Sequence, residues 1–161
     1  MDNIQTNANP LDCDYSAVDT RRPVLAGNQP YELLLKKAEI QKYGPNTRHP
    51  NDEFIHLELS NAQPATGPNG DSINAGQVTV FHNINTIPYG KQDPAGLKKD
   101  TARLFKALGG TPGTSLRSLL ASSAGKVVRA NIRISPAGTT AAGKSFPEKN
   151  EVAYFYVPGE K

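Results

Sequence analysis

Residues 53–60 alternate strictly between apolar and polar positions, placing Ile55, Leu57 and Leu59 on one face and Phe54, His56 and Glu58 on the other. That period of two is the spacing of a half-buried β-strand. Residues 77–85 repeat it with Val78, Val80 and Ile84 opposite Thr79, Phe81 and Asn83, in a β-branched context that favours a strand. Residues 126–135 do so again, with Val128, Ala130, Ile132 and Ile134 inward and Val127, Arg129, Asn131 and Arg133 outward. A closing strand over 150–157 carries Val152, Tyr154 and Tyr156 on one side and Ala153, Phe155 and Val157 on the other.

The stretch 29–43 fits helix and strand templates about equally. Tyr31, Leu33 and Leu35 alternate, then Ala38 and Ile40 alternate in the opposite phase. One extra residue near Lys36 and Lys37, a β-bulge, reconciles both halves in a single bent strand. Between the second and third strands, residues 61–76 hold Pro64, Gly67-Pro68-Asn69-Gly70 and Gly76, so they read as a long hairpin loop. After the third strand the period changes to that of a helix. Asp93 is a good N-cap, Pro94 suits the first turn, Leu97, Thr101, Leu104 and Leu108 share a face, and Gly109-Gly110 end it. Lys99, Arg103 and Lys106 fall opposite, and a second short helix is expected within 114–123.

The expected fold class is therefore mainly β: a five-stranded OB-like Greek-key barrel with one or two short helices between strands 3 and 4. A flattened β-sandwich is the structural rival. Residues 1–24, rich in Asn, Asp, Thr and Pro with no hydrophobic period, read as a flexible N-terminal arm. Residues 25–161 are then one OB-like domain. Gly and Pro together make up 27 of the 161 residues, which suits a loop-rich β protein.

Charge sharpens the picture. Residues 1–85 hold 6 Lys/Arg against 10 Asp/Glu, whereas residues 86–161 hold 12 against 5. The net +3 is thus concentrated in the second half, as a face that releases counterions from a phosphate backbone would be. A solvated surface whose signs average out on folding is the plain alternative. Cys13 is the only cysteine, which excludes an internal disulfide framework. No stretch reaches the roughly 18–20 apolar residues of a membrane span, and the first 25 residues lack a signal-peptide pattern. The expected location is cytoplasmic, in the host cell if the chain is phage-encoded.

Candidate chemistry is sparse. Residues 138–145 match the G-x-x-x-x-G-K-S pattern of a phosphate-binding loop. That motif needs a buried parallel strand before it and a helix starting at its Lys-Ser, whereas here the strand alternates and Phe146-Pro147 discourages a helix. A hairpin loop carrying Lys144 is expected instead. His49, His56 and His82 lack metal-ligand spacing, Glu53 and Glu58 lie on opposite faces by parity, and no G-x-S-x-G elbow occurs. The expectation is no enzyme, no cofactor and no metal.

What remains is a surface of strand faces. Phe54 and Phe81 are candidate stacking platforms for bases, and Tyr154 a further one. Arg129 and Arg133 are candidate phosphate or base-plane contacts, with Lys36, Lys37 and Lys144 extending the groove. In the competing interpretation Phe54 and Phe81 are core residues and the arginines ordinary solvated charges.

The runs Tyr31-Glu32-Leu33-Leu34-Leu35-Lys36-Lys37-Ala38-Glu39, Phe54-Ile55-His56-Leu57-Glu58-Leu59 and Leu104-Phe105-Lys106-Ala107-Leu108-Gly109 resemble small bacteriophage proteins of replication and recombination modules. So do Lys126-Val127-Val128-Arg129-Ala130-Asn131-Ile132 and Lys149-Asn150-Glu151-Val152. The resemblance covers about residues 28–157. It implies an OB-type barrel that coats single-stranded DNA, or RNA, without catalysis, as a homo-oligomer working with phage replication or recombination proteins. Many such proteins end in an acidic tail that recruits partners; this chain ends Val157-Pro158-Gly159-Glu160-Lys161. The alternative is a phage structural or assembly β protein that oligomerises through strand edges and its N-terminal arm.

Overall fold

A computed structural model describes residues 9–12, 14–17, 22–47, 50–88 and 92–160. Within the segment read as an arm, Pro10–Asp12 forms a single 3-10 turn. The strands follow as β1 (Gln29–Lys42), β2 (Glu53–Asn61), β3 (Ala65–Thr66), β4 (Ser72–Ile73) and β5 (Thr79–Asn85). Helices α1 (Pro94–Ala107) and α2 (Leu116–Ala121) precede β6 (Val127–Ser135), β7 (Gly138–Thr139), β8 (Ser145–Phe146) and β9 (Lys149–Phe155). The protein is mainly β, with few helices and one five-stranded antiparallel sheet in the order β5-β2-β1-β6-β9. The pairs β3-β4 and β7-β8 are two-residue hairpin ladders.

β1 is the spine of the sheet, and the phase change in its sequence sets its shape. The register slips between Leu35 and Lys37, so Lys36 is the extra residue of a bulge. Leu33 and Leu35 before it, and Ala38 and Ile40 after it, thereby all turn toward the core. The N-terminal half of β1 pairs with β6 and most of the rest with β2. A second bulge, not anticipated from the alternation, lies where β6 meets β9: Asn131 opposes Tyr154 but Ile132 opposes Val152, leaving Ala153 over. It corrects the expected faces of the last strand. Val152 and Phe155 are both buried, although they are three residues apart, while Tyr154 stands outside.

α1 starts and stops on the signals expected. The Asp93 carboxylate accepts from the Ala95 N–H, and Pro94 occupies the first turn. At the other end Gly109 has φ +82° and donates to the Lys106 carbonyl, and Gly110 lies against the Phe105 ring, where a Cβ would come 2.4 Å from the ring carbon. Lys126 donates to the Leu108 carbonyl at 2.8 Å, placing a cation at the helix C-terminus. Leu104 and Leu108, with Leu119 and Leu120 of α2, join Leu57, Leu59, Val80, Val128, Ile132 and Phe155 in one core. Among the described residues, no helix is long and apolar enough to cross a membrane.

Two asparagines do structural work that no periodicity announces. Asn61 is 1% exposed; its amide donates to the carbonyls of Gln63 (2.8 Å) and Asn74 (2.9 Å), and its oxygen accepts from the Val78 N–H (3.0 Å). It cross-ties the whole 61–78 loop. Asn150, 7% exposed, grips Leu25 at both backbone groups, accepting from its N–H at 2.7 Å and donating to its carbonyl at 2.9 Å. That clasp lays residues 22–25 against β9.

Because each neighbour in the order β5-β2-β1-β6-β9 is antiparallel, the two edge strands β5 and β9 run the same way. The sheet curls until they face each other. His82 of β5 meets Phe155 of β9 edge-to-face, with ring centres 5.6 Å apart, yet no ladder hydrogen bonds join the two strands. A seam is left between them.

Candidate nucleic-acid interface

The outer face of the β1-β2-β5 half is laid out by register. Lys37, Glu58 and Phe81 form one cross-strand row, Glu39, His56 and Asn83 the next, and Gln41, Phe54 and Asn85 the third. Phe81 is the only one of the two candidate phenylalanines that stands free, at 54% exposed. The His56 ring lies nearly parallel to it, with centres 6.1 Å apart, and His56 Nδ1 is 2.6 Å from the Asn83 amide oxygen. Phe54 points outward by parity but is only 8% exposed, because Tyr43 stacks on it at 4.3 Å. The tyrosine hydroxyl is tied to Asn85 at 2.5 Å. Phe54 is thus removed as a base platform; its aromatic neighbour comes from the end of β1, not from its own strand.

The basic candidates are divided. Lys37 shares Phe81's row but pairs with Glu39 at 3.6 Å. Lys36, at the bulge, is exposed. Lys144 lies beside the turn of the β7-β8 hairpin, whose Gly143 has φ +82°. The G-x-x-x-x-G-K-S stretch therefore forms a hairpin, and Lys144 is not among the residues lining the seam. Arg133 reaches the seam, held by Glu151 at 3.2 Å.

Arg129 and Tyr154 belong to a second cluster on the β6-β9 face. The Arg129 guanidinium lies over Tyr156, 4.5 Å from the ring centre, and bonds the Glu160 carbonyl; Arg103 lies 5.5 Å from the Tyr154 ring centre. Arg103 also pairs with the Glu160 carboxylate. A hydrogen bond to Tyr156 is the first cause holding the Tyr154 phenol above its ordinary value. Tyr154 itself is 41% exposed.

Phe81 and Arg133 are brought together across the open end of the seam. The groove there has a volume of about 750 Å³, floored by the buried Val78 and Val152. Arg22 and Lys149 add positive charge at its margin, and Glu148 and Glu151 negative. Arg22 escaped attention because it lies in the stretch read as an arm, and Lys149 because it sits at the first residue of β9. At the closed end of the seam, burial pushes the His82 imidazole below its ordinary 6.5, against the opposing pull of Asp100. A neutral imidazole in the fold and a protonating one in the unfolded chain mean that stability is complete above pH 6.5 and falls as the pH drops below it. The melting temperature is expected to fall from this source as the pH drops from 7.5 to 5. A scan of His82→Phe, in which that part of the drop is absent, checks it.

Among the described residues, no group of three or more His, Cys, Asp and Glu side chains is arranged to hold a metal ion. His49 and Cys13 lie outside the described residues. No protein-family model matches the chain, and no curated protein matches it.

Proposed function

We propose that the chain is a non-catalytic, single-stranded nucleic-acid-binding protein built on an OB-like Greek-key barrel opened along one seam, acting in bacteriophage DNA replication or recombination. The strand order, with both helices inserted between β5 and β6 and the edge strands β5 and β9 facing each other in parallel, supports the barrel reading. The observation that carries the function is one groove lined by both the exposed Phe81 ring and Arg133. A π-face beside a guanidinium is what an unpaired base and its phosphate require, and it tolerates any sequence because every base has a flat face. Tyr154 and Arg129, farther along the β6-β9 face, extend the path.

Fluorescence polarisation with a labelled oligo-dT tests this. Binding is expected at 50 mM salt, with affinity falling about 20–100-fold by 200 mM if three to five phosphates are neutralised. An absence of binding at 50 mM overturns the proposal, and a stable oligomer with no DNA affinity would favour the assembly role instead.

A further inference from the structure

We propose that the seam between β5 and β9 is a pocket that takes one unstacked nucleobase of the bound strand. This rests on the nucleic-acid reading above and adds a site to it. The hydrogen bond from the Thr86 N–H to the Glu53 carbonyl sets the phase of the β2-β5 ladder: Ile84, His82 and Val80 bond to β2. The bond from the Val78 N–H to the Asn61 side chain continues the same phase. The backbone groups of Thr79, Phe81 and Asn83 therefore point the other way, into the seam, as donors and acceptors that no strand pairs.

An edge of this kind ordinarily invites an added β-strand. Here it cannot take one along its length. The two edges are pinned at His82 and Phe155 and diverge toward Thr79 and Lys149, so the opening is a wedge, wide at one end only. A wedge with an apolar floor of Val78 and Val152, a ring wall at Phe81 and hydrogen-bonding edges matches one planar, amphipathic group. A nucleobase has that shape, an apolar face and a polar rim. Arg133, exposed and held by Glu151, is among the residues lining the groove and would meet the phosphate flanking the inserted base. The apolar floor offers a phosphate no polar partner, so the base and not the backbone enters.

The test uses the full chain with dT12 and with a 12-mer of abasic sites, followed by amide chemical shifts and by affinity. Amides of Val78 and Val152, on the floor, are expected to shift with dT12 and to stay put with the abasic strand. Thr79→Trp places a large side chain at the mouth from an exposed strand position that accepts aromatics, and it is expected to abolish those floor shifts and weaken dT12 binding about tenfold. A melting curve establishes that the variant is folded; should it not be, Thr79→Tyr serves in its place. If dT12 binds the parent chain but the floor amides do not respond and the variant binds as well as the parent, the pocket is wrong while the nucleic-acid reading stands. If dT12 does not bind at all, both fall.

Discussion

Replacing Asn61 by leucine is expected to cost the fold about 2–4 kcal/mol, the largest stability effect of any single polar substitution proposed for this chain. Leucine keeps the branched four-atom shape but is bulkier, so at this buried site overpacking adds to the loss of polar contacts. The loss comes from three hydrogen bonds made at a 1% exposed site, which leaves the Gln63 and Asn74 carbonyls and the Val78 N–H without the partner they had. Val78 also floors the seam, so the damage reaches the candidate site through the strand that carries Phe81. Urea denaturation followed by circular dichroism should show a lower midpoint with an unchanged slope, and the melting temperature should drop by roughly 5–15 °C. Asn61→Asp discriminates further. It keeps the acceptor for Val78 but puts negative charge against two carbonyls, so it should be no better than leucine. A midpoint within about 0.5 kcal/mol of the parent for both variants would mean that the 61–78 loop is held by something other than this side chain.

On the binding side, Phe81→Ala is expected to weaken oligo-dT about 5–150-fold, the range of one lost base stack. The ring is exposed, so the fold should be almost unaffected. Phe54→Ala supplies the contrast, since Phe54 packs under Tyr43 and its loss should lower stability while leaving the affinity of the folded fraction intact. Reversing charge at Arg133 should act in the same direction as Phe81→Ala and reduce the salt slope by about one phosphate. Arg129→Glu should do less, because that guanidinium lies in the cluster with Tyr156 and Glu160 and is not among the residues lining the groove. Equal affinities for the parent, Phe81→Ala and Arg133→Glu proteins, all folded, would separate the seam from any nucleic-acid function.

Much of the architecture was legible because burial imposes a period on the chain. The reversal of phase between Leu35 and Ala38 disclosed the β1 bulge, since an uncorrected strand would have sent Ala38 and Ile40 to the outside. Asp93, Pro94 and the Gly109-Gly110 pair bracketed α1 for equally local reasons. The bulge at Ala153 was invisible because its neighbours do not betray a phase: tyrosines at 154 and 156 suit either face, so nothing marked Phe155 as the residue that turns inward.

The candidate site was harder still. Parity gave the correct side for Phe54, but whether a ring on that side is free depends on Tyr43, which reaches it only through the pairing of β1 with β2. The seam between β5 and β9 joins strands some seventy residues apart and has no local signature at all. Arg22 reaches the groove only because Asn150 clasps Leu25, a contact spanning 125 positions.

The central place of β1 also governs how the chain can assemble itself. One of its edges finds β2 within a few dozen residues, but the other waits for β6, about a hundred residues downstream, and the sheet is finished only when β9 arrives. During synthesis the emerging polypeptide must hold an uncovered strand edge and half-formed apolar surface until β9 has left the ribosome. Such long-range pairing makes for slow maturation and for a window in which neighbouring nascent chains can cross-pair.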